Sequence, residues 1–331
     1  MNMRRGNFLL LASLAAAAAA PALGQDAATA AGAASTAPQS AASVPDLSLL
    51  WANSLGPGFP LPASGGPGPV LNKVRARAAV DIYGKDIPPE NAPIVSIGGR
   101  RVGDHTAPIL QPWAAEIVKA HAEKEVNDGP ALNPINQCRP GGVPFVFYNL
   151  GMAILQKPDS VTILYVFDHE VRHVRLNEDH PAQVTPSWWG NSVGRYEGDT
   201  LVIDTVGIKT GPYTMVDQFG TPHTDKLHVV ERYRLIDYET ANQLLERGAK
   251  ENASFVRNDS GVNPDFTARG KHLQLDFTVE DPGAFTTPWK ATRIWQKVNR
   301  GPMLESVCAE NNINPFNLDE YPMPEAKTAD F

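Results

Sequence analysis

Several things are scarce in this chain. Basic residues form no block beyond the N-terminus, and the net charge is −7. General nucleic-acid binding, which needs a basic face, is therefore excluded. Long apolar runs are also missing past the N-terminus. The densest, Val161 to Phe167, is far short of the ~20 residues a spanning helix needs, so no stable membrane insertion is expected of the mature chain. Internal repeats are absent. Cysteine is nearly so: Cys138 and Cys308 are the two thiols in 331 residues.

What is present starts with an export signal. Arg4 and Arg5 give the charged part, Phe8 to Ala20 the apolar part, and Ala22-Leu23-Gly24 a small-residue cleavage site. The arginine pair also raises a twin-arginine route, although Phe8 sits one place later than that motif prefers. A periplasmic or secreted protein is expected. In that compartment an isolated cysteine pair is most simply a disulfide. Closing a loop of that span is worth roughly 5 kcal/mol on the chain-entropy view.

Residues 25–44 are rich in Ala, Ser and Thr and read as a disordered leader. An N-terminal arm follows over 45–142, with an extended Gly/Pro segment from Gly56 to Gly68 and a short strand at Ile94 to Ile97. Its helix spans 111–126, with Pro112 in the first turn and Trp113, Ile117 and Ala120 sharing a face. From Val143 the pattern turns to strands, near 152–156, 160–167, 170–176, 226–235, 273–279 and 289–298. Ser187 to Val206 supplies two more, joined by the turn Glu197-Gly198-Asp199-Thr200. About eight short strands with few helices between them predict an all-β, mostly antiparallel domain over 143–318. A lipocalin-like barrel is preferred to a sandwich. An excursion over 238–270 carries a second helix from Glu239 to Gly248 with Leu244 and Leu245 inward, and 319–331 is a tail.

Pro45-Asp46-Leu47-Ser48, Trp189-Gly190-x-Ser192-Val193-Gly194-Arg195-Tyr196-Glu197-Gly198-Asp199-Thr200-Leu201-Val202, Gly220-x-Pro222-His223, Leu227-His228-Val229-x-Glu231-Arg232, Val279-Glu280-Asp281-Pro282 and Pro288-Trp289 span most of the mature chain. On these residues the chain resembles a group of uncharacterised secreted bacterial β-rich proteins. The resemblance implies export and a β-rich domain and carries no reaction with it. The chain departs from the group's usual pattern at Tyr196, where Trp is usual, and in the excursion over 238–270. Loop architecture and ligand specificity would differ there. The hairpin with its aromatic is also similar to lipocalin-like barrels.

Two catalytic spellings occur. His169-Glu170-Val171-Arg172-His173 is a literal HExxH, which holds zinc when both histidines share a helical face. Its flanks, Val161-Thr162-Ile163 and Val174-Arg175-Leu176, form strands, and residues four apart on a strand are roughly 13 Å apart. No metal or other cofactor is therefore expected. Gly190-x-Ser192-x-Gly194 spells a nucleophile elbow, but that device needs a helix directly after the serine, where a hairpin is expected. The glycines then serve strand bends or close backbone approach.

Two functions from different classes stay open, with a zinc-dependent hydrolase through His169-Glu170-x-x-His173 as a lesser third reading. The first is a binding module for a small, partly apolar molecule, because an eight-strand barrel can enclose one such ligand. Tyr165, Trp189 and Tyr196 would supply apolar bodies with polar tips. Arg172, His228 and Glu231 would supply polar contacts. Alternation along 226–235 puts Leu227, Val229, Glu231 and Tyr233 on one face and His228, Val230, Arg232 and Arg234 on the other. A buried Glu231 would need a partner among Arg172, Arg175, Arg195 and Arg232. The second is a cofactor-free hydrolase or lyase using His169, His173, Ser192, His223 and Asp225, because histidine beside carboxylate suits acid–base work. His180 is a further loop histidine in reach of that scheme. The test between the two is whether these histidines and Asp225 converge on Ser192 or Tyr196.

Overall fold

A computed structural model describes residues 44–48, 50–53, 59, 61–62, 64–71, 102–127, 131–148, 151–167, 170–251, 269–297 and 307–308. The expected export signal, most of the expected leader, the strand expected at Ile94 to Ile97, His169, much of the expected excursion beyond Glu251 and the expected tail lie outside the described residues.

Nine strands close into one barrel in chain order. They are β1 (Leu50–Asn53), β2 (Gly151–Gln156), β3 (Ser160–Tyr165), β4 (Val171–Leu176), β5 (Asn191–Glu197), β6 (Thr200–Val206), β7 (His228–Ile236), β8 (His272–Glu280) and β9 (Trp289–Lys297). Every neighbouring pair is antiparallel except β4 and β5, which run parallel. The expected all-β barrel is therefore present, with one strand more than the pattern suggested. The extra strand is β1, which pairs with both β2 and β9 and so completes the ring.

Strand alternation sorts the residues. Val161, Ile163, Leu201, Ile203, Val229, Leu273, Leu275, Phe277 and Trp295 are buried in one continuous core cluster. On β7, Val229, Glu231 and Tyr233 are buried while Arg232 and Arg234 are exposed, as the period-two pattern requires. The β5–β6 turn is tight: Glu197 pairs directly with Thr200, and Gly198 sits at φ 63°, a conformation glycine adopts without a Cβ penalty.

The seam between β4 and β5 differs from the rest. Its ladder has two residue pairs, Arg175 with Val193 and Leu176 with Gly194. The β5–β6 ladder has seven and the β7–β8 ladder nine. Parallel strands cannot be joined by a tight hairpin, so the chain crosses between them through residues 177–190. Above the two pairs, side chains bridge the seam instead of backbone.

The barrel ends are covered. At the end holding the β5–β6 turn, the Gln156 amide pins the incoming chain. Its Oε1 accepts from the Leu47 N–H at 2.6 Å and its Nε2 donates to the Pro45 carbonyl at 2.9 Å. Leu47 is thereby fully buried, and its carbonyl accepts from the Trp51 indole. Helix α2 (Tyr238–Glu251) starts where the Asp237 carboxylate accepts from the Thr240 N–H, a cap of the usual kind. It packs Ala241 on Ile236 and Ile294, with Leu244 and Leu245 against that cluster, as expected.

Helix α1 (Pro112–Asn127) buries a different face from the one expected. Ala114, Val118, Ala122 and Glu125 are inside, while Trp113 and Ile117 are among the exposed large apolar residues. Small side chains allow close approach: a Cβ added at Gly103 would stand 2.9 Å from Val118 Cγ1 and 2.6 Å from Phe219 Cβ. Trp113 lies along the surface and donates to the Gly283 carbonyl. Cys138 and Cys308 form the expected disulfide across 170 residues. Among the described residues no helix is long and apolar enough to cross a membrane.

Candidate functional site

Inside the barrel, β4, β5, β6 and β7 bring a polar cluster together. Even numbers point inward on β4, placing Arg172 beside Val174 and Leu176. Its terminal nitrogens donate to Glu231 at 2.8 and 2.6 Å, a two-pronged contact with both side chains almost fully buried. The same guanidinium donates to Ser192 Oγ at 3.1 Å and Thr205 Oγ1 at 2.6 Å. Ser192 and Thr205 share a further hydrogen bond, and Tyr233 donates to Glu231 at 2.9 Å. Burial works against the charge on Arg172, but Glu231's charge and hydrogen bonds outweigh it and hold the guanidinium more firmly protonated than usual.

Tyr165 closes the cluster on the β3 side. Its hydroxyl is buried and makes no hydrogen bond of normal geometry. Burial, with a contribution from the Glu231 charge, pushes its ionisation above the ordinary tyrosine range, against the opposing Arg172 charge. Trp189 stacks on the Tyr165 ring with centroids 5.1 Å apart and planes 4° apart. Trp189 precedes β5 and Tyr165 ends β3, so the indole lies across the start of β4, where the β4–β5 seam has no ladder. Trp189 is itself half-buried. Gly190 lets the chain turn directly after it: its φ is 63°, and an added Cβ would meet the Val206 carbonyl at 2.5 Å.

The remaining candidates are dispersed. His173 is exposed on the outer face of β4, with Nδ1 3.4 Å from Thr162 Oγ1. The HExxH run thus continues into a strand, as its flanks indicated. His223 is buried in the segment before β7, its Nδ1 3.0 Å from the Thr224 carbonyl, and burial holds it below the usual histidine range. Asp225 is exposed. Ser192 has Arg172 and Thr205 as its hydrogen-bond partners, and Tyr196 accepts from Gln156 Nε2 at 2.6 Å. Among the described residues, no histidine or aspartate is hydrogen-bonded to Ser192 or Tyr196. Ser192 stands on a strand followed by a hairpin, so its GxSxG spelling comes without the elbow. Among the described residues no His/Cys/Asp/Glu group fit to hold a metal occurs.

His228 faces outward, not into the cluster. On that outer face its Nε2 lies 2.8 Å from Asp204 Oδ1, and His180 Nε2 lies 3.1 Å from the same oxygen. His180 Nδ1 is 2.7 Å from Asn191 Oδ1, which ties the crossover segment to β5 and β6. Asp204 and Thr205 were both missed by the sequence reading, as was the part played by Tyr233. Thr205 shares its inward parity with Leu201 and Ile203, and that alternation was the available signal.

Other residues of the stretches quoted above are braces. Asp281 accepts from the Thr224 N–H, the Thr224 hydroxyl and the Gly283 N–H, clamping two loops together. Gly220 lies at φ 75° against the His121 ring. No family model, curated protein or solved structure matches the chain.

Proposed function

We propose that this protein is an exported barrel, akin to the secreted bacterial group it resembles, that binds one small, partly apolar molecule in its interior. One observation carries the reading: a buried, charge-balanced cluster lies behind the weakest seam of the barrel, under a half-buried tryptophan. Protein sites for small molecules are typically apolar, with a few fixed polar groups. Here the apolar walls come from Ile163, Ile203 and Val229, and the polar groups are Tyr165, Arg172 and Glu231. The two-pair ladder between β4 and β5 is the part of the wall that opens at least cost.

Titration of the mature protein with N-phenyl-1-naphthylamine, a neutral fluorescent probe, tests the reading. One saturable site per chain is expected, weakened by Trp189→Ala. A linear, unsaturable response would count against it. The acid–base enzyme reading gains no comparable support, since the residues it needs do not converge among those described.

A further inference from the structure

The cluster leaves some of its hydroxyl hydrogens without a hydrogen bond. Arginine brings five N–H groups and no acceptor, and each hydroxyl brings one hydrogen. Glu231 is the main acceptor, and it already takes both terminal nitrogens of Arg172 and the Tyr233 hydroxyl. Ser192 and Thr205 both accept from Arg172, and one of them donates to the other. Whichever donates, the partner's hydroxyl hydrogen makes no hydrogen bond among the described residues. The Tyr165 hydroxyl is the clearest surplus: the residue is 2% exposed, the one donor that bears on its oxygen is Arg172, and its own hydrogen has no acceptor. A buried polar group in that state costs about 1–3 kcal/mol.

Charge is balanced where hydrogens are not. The guanidinium is matched by Glu231, so an anion brought to this wall would face a carboxylate, and a cation would face Arg172. Because burial keeps Tyr165 protonated, it offers an O–H and not a phenolate.

We propose that the interior site takes a neutral molecule whose polar end is an accepting oxygen, a ketone, ester or amide carbonyl, received by the Tyr165 hydroxyl at the β3–β4 wall. This deepens, and rests on, the binding reading above. The ligand's apolar body then lies against the aliphatic wall, and its oxygen takes the hydrogen the cluster cannot use.

Three compounds of similar shape separate the alternatives: benzophenone, the hydrocarbon diphenylmethane and the anion diphenylacetate. Each is titrated into the mature wild type and the Tyr165→Phe variant, following tryptophan fluorescence, with circular dichroism to verify that the variant is folded. The expected order is benzophenone first. Tyr165→Phe weakens benzophenone about tenfold, the size of one neutral hydrogen bond, and leaves diphenylmethane unchanged. Equal affinities for benzophenone and diphenylmethane, indifferent to the Tyr165 hydroxyl, would overturn the carbonyl assignment while leaving the binding reading standing. Tightest binding by diphenylacetate would overturn it as well. Failure of both neutral compounds to bind the wild type would remove the binding reading and this inference with it.

Discussion

His180 and His228, 48 residues apart in the chain, point their Nε2 atoms at the same oxygen of Asp204, at 3.1 and 2.8 Å. One histidine comes from the crossover segment and the other from β7, so this carboxylate fastens the loop that carries Trp189 to the outer wall. Hydrogen bonding to Asp204 raises the pKa of His228 despite partial burial. Burial opposes ionisation of Asp204, but the two histidines together hold its carboxyl below the usual range. A raised histidine stabilises the fold below its unfolded value of about 6.5 and loses that contribution as pH rises through the folded value. A depressed aspartate contributes above its unfolded value of about 3.9 and loses that as pH falls through the folded value. The stability difference between wild type and His228→Gln should therefore peak near pH 5 and shrink toward both pH 8 and pH 2. Since the groups are half-exposed, it should stay under about 1 kcal/mol. Urea melts at several pH values check this, and a difference flat across pH would contradict it.

Arg172 and Glu231 should behave as a unit. Removing one partner, as in Glu231→Gln or Arg172→Met, leaves the other polar group buried without its match and should cost about 3–5 kcal/mol. Replacing both by apolar residues, Arg172→Met with Glu231→Leu, should cost less than the sum of the single changes. Chemical denaturation of the four proteins gives the coupling directly. Additive losses would mean that the pair is not coupled.

Gly190 should tolerate no side chain. It combines a φ of 63° with a carbonyl 2.5 Å from any added Cβ. The obstructing atom is backbone, so relief requires moving β6. Gly190→Ala should destabilise by about 1–3 kcal/mol, whereas Ser192→Ala, which removes a hydroxyl from a packed cluster, should cost about 1 kcal/mol. Thermal melts rank the two, and the reverse order would show that the first glycine of the GxSxG spelling is not held by backbone crowding.

The Cys138–Cys308 bond ties residues 170 positions apart. Replacing both by serine should cost about 2–5 kcal/mol, with the melting temperature of the wild type under reducing conditions falling to match the variant. Unequal losses would indicate that the serines do more than remove the cross-link.

Much of this architecture was legible because local signals agreed. In 187–206, β-branched residues and a Gly-Asp turn both point to one hairpin, and β5 and β6 follow it. Alternation along β7 put Glu231 on the same face as Leu227 and Val229, where burial would call for a partner. Four arginines were then equally eligible, and the choice of Arg172 depends on barrel register, which no local pattern encodes. Strand β1 was missed because Leu50-Trp51-Ala52-Asn53 shows no alternation and owes its conformation to partners about a hundred and more than two hundred residues away. The α1 face was misjudged because size, not hydrophobicity, governs that contact: the packed stripe is Ala114, Val118 and Ala122. Asp204 was overlooked since an outward carboxylate on a strand carries no signal until His180 and His228 are folded onto it.

That the barrel interior is a ligand site is tested most directly by native mass spectrometry of the protein. Titrated with benzophenone under folding conditions, wild type should gain the mass of a single molecule per chain, and the added mass should vanish on acid unfolding. A spectrum that stays at the bare chain mass through the titration, or that acquires several adducts without saturating, would contradict the account.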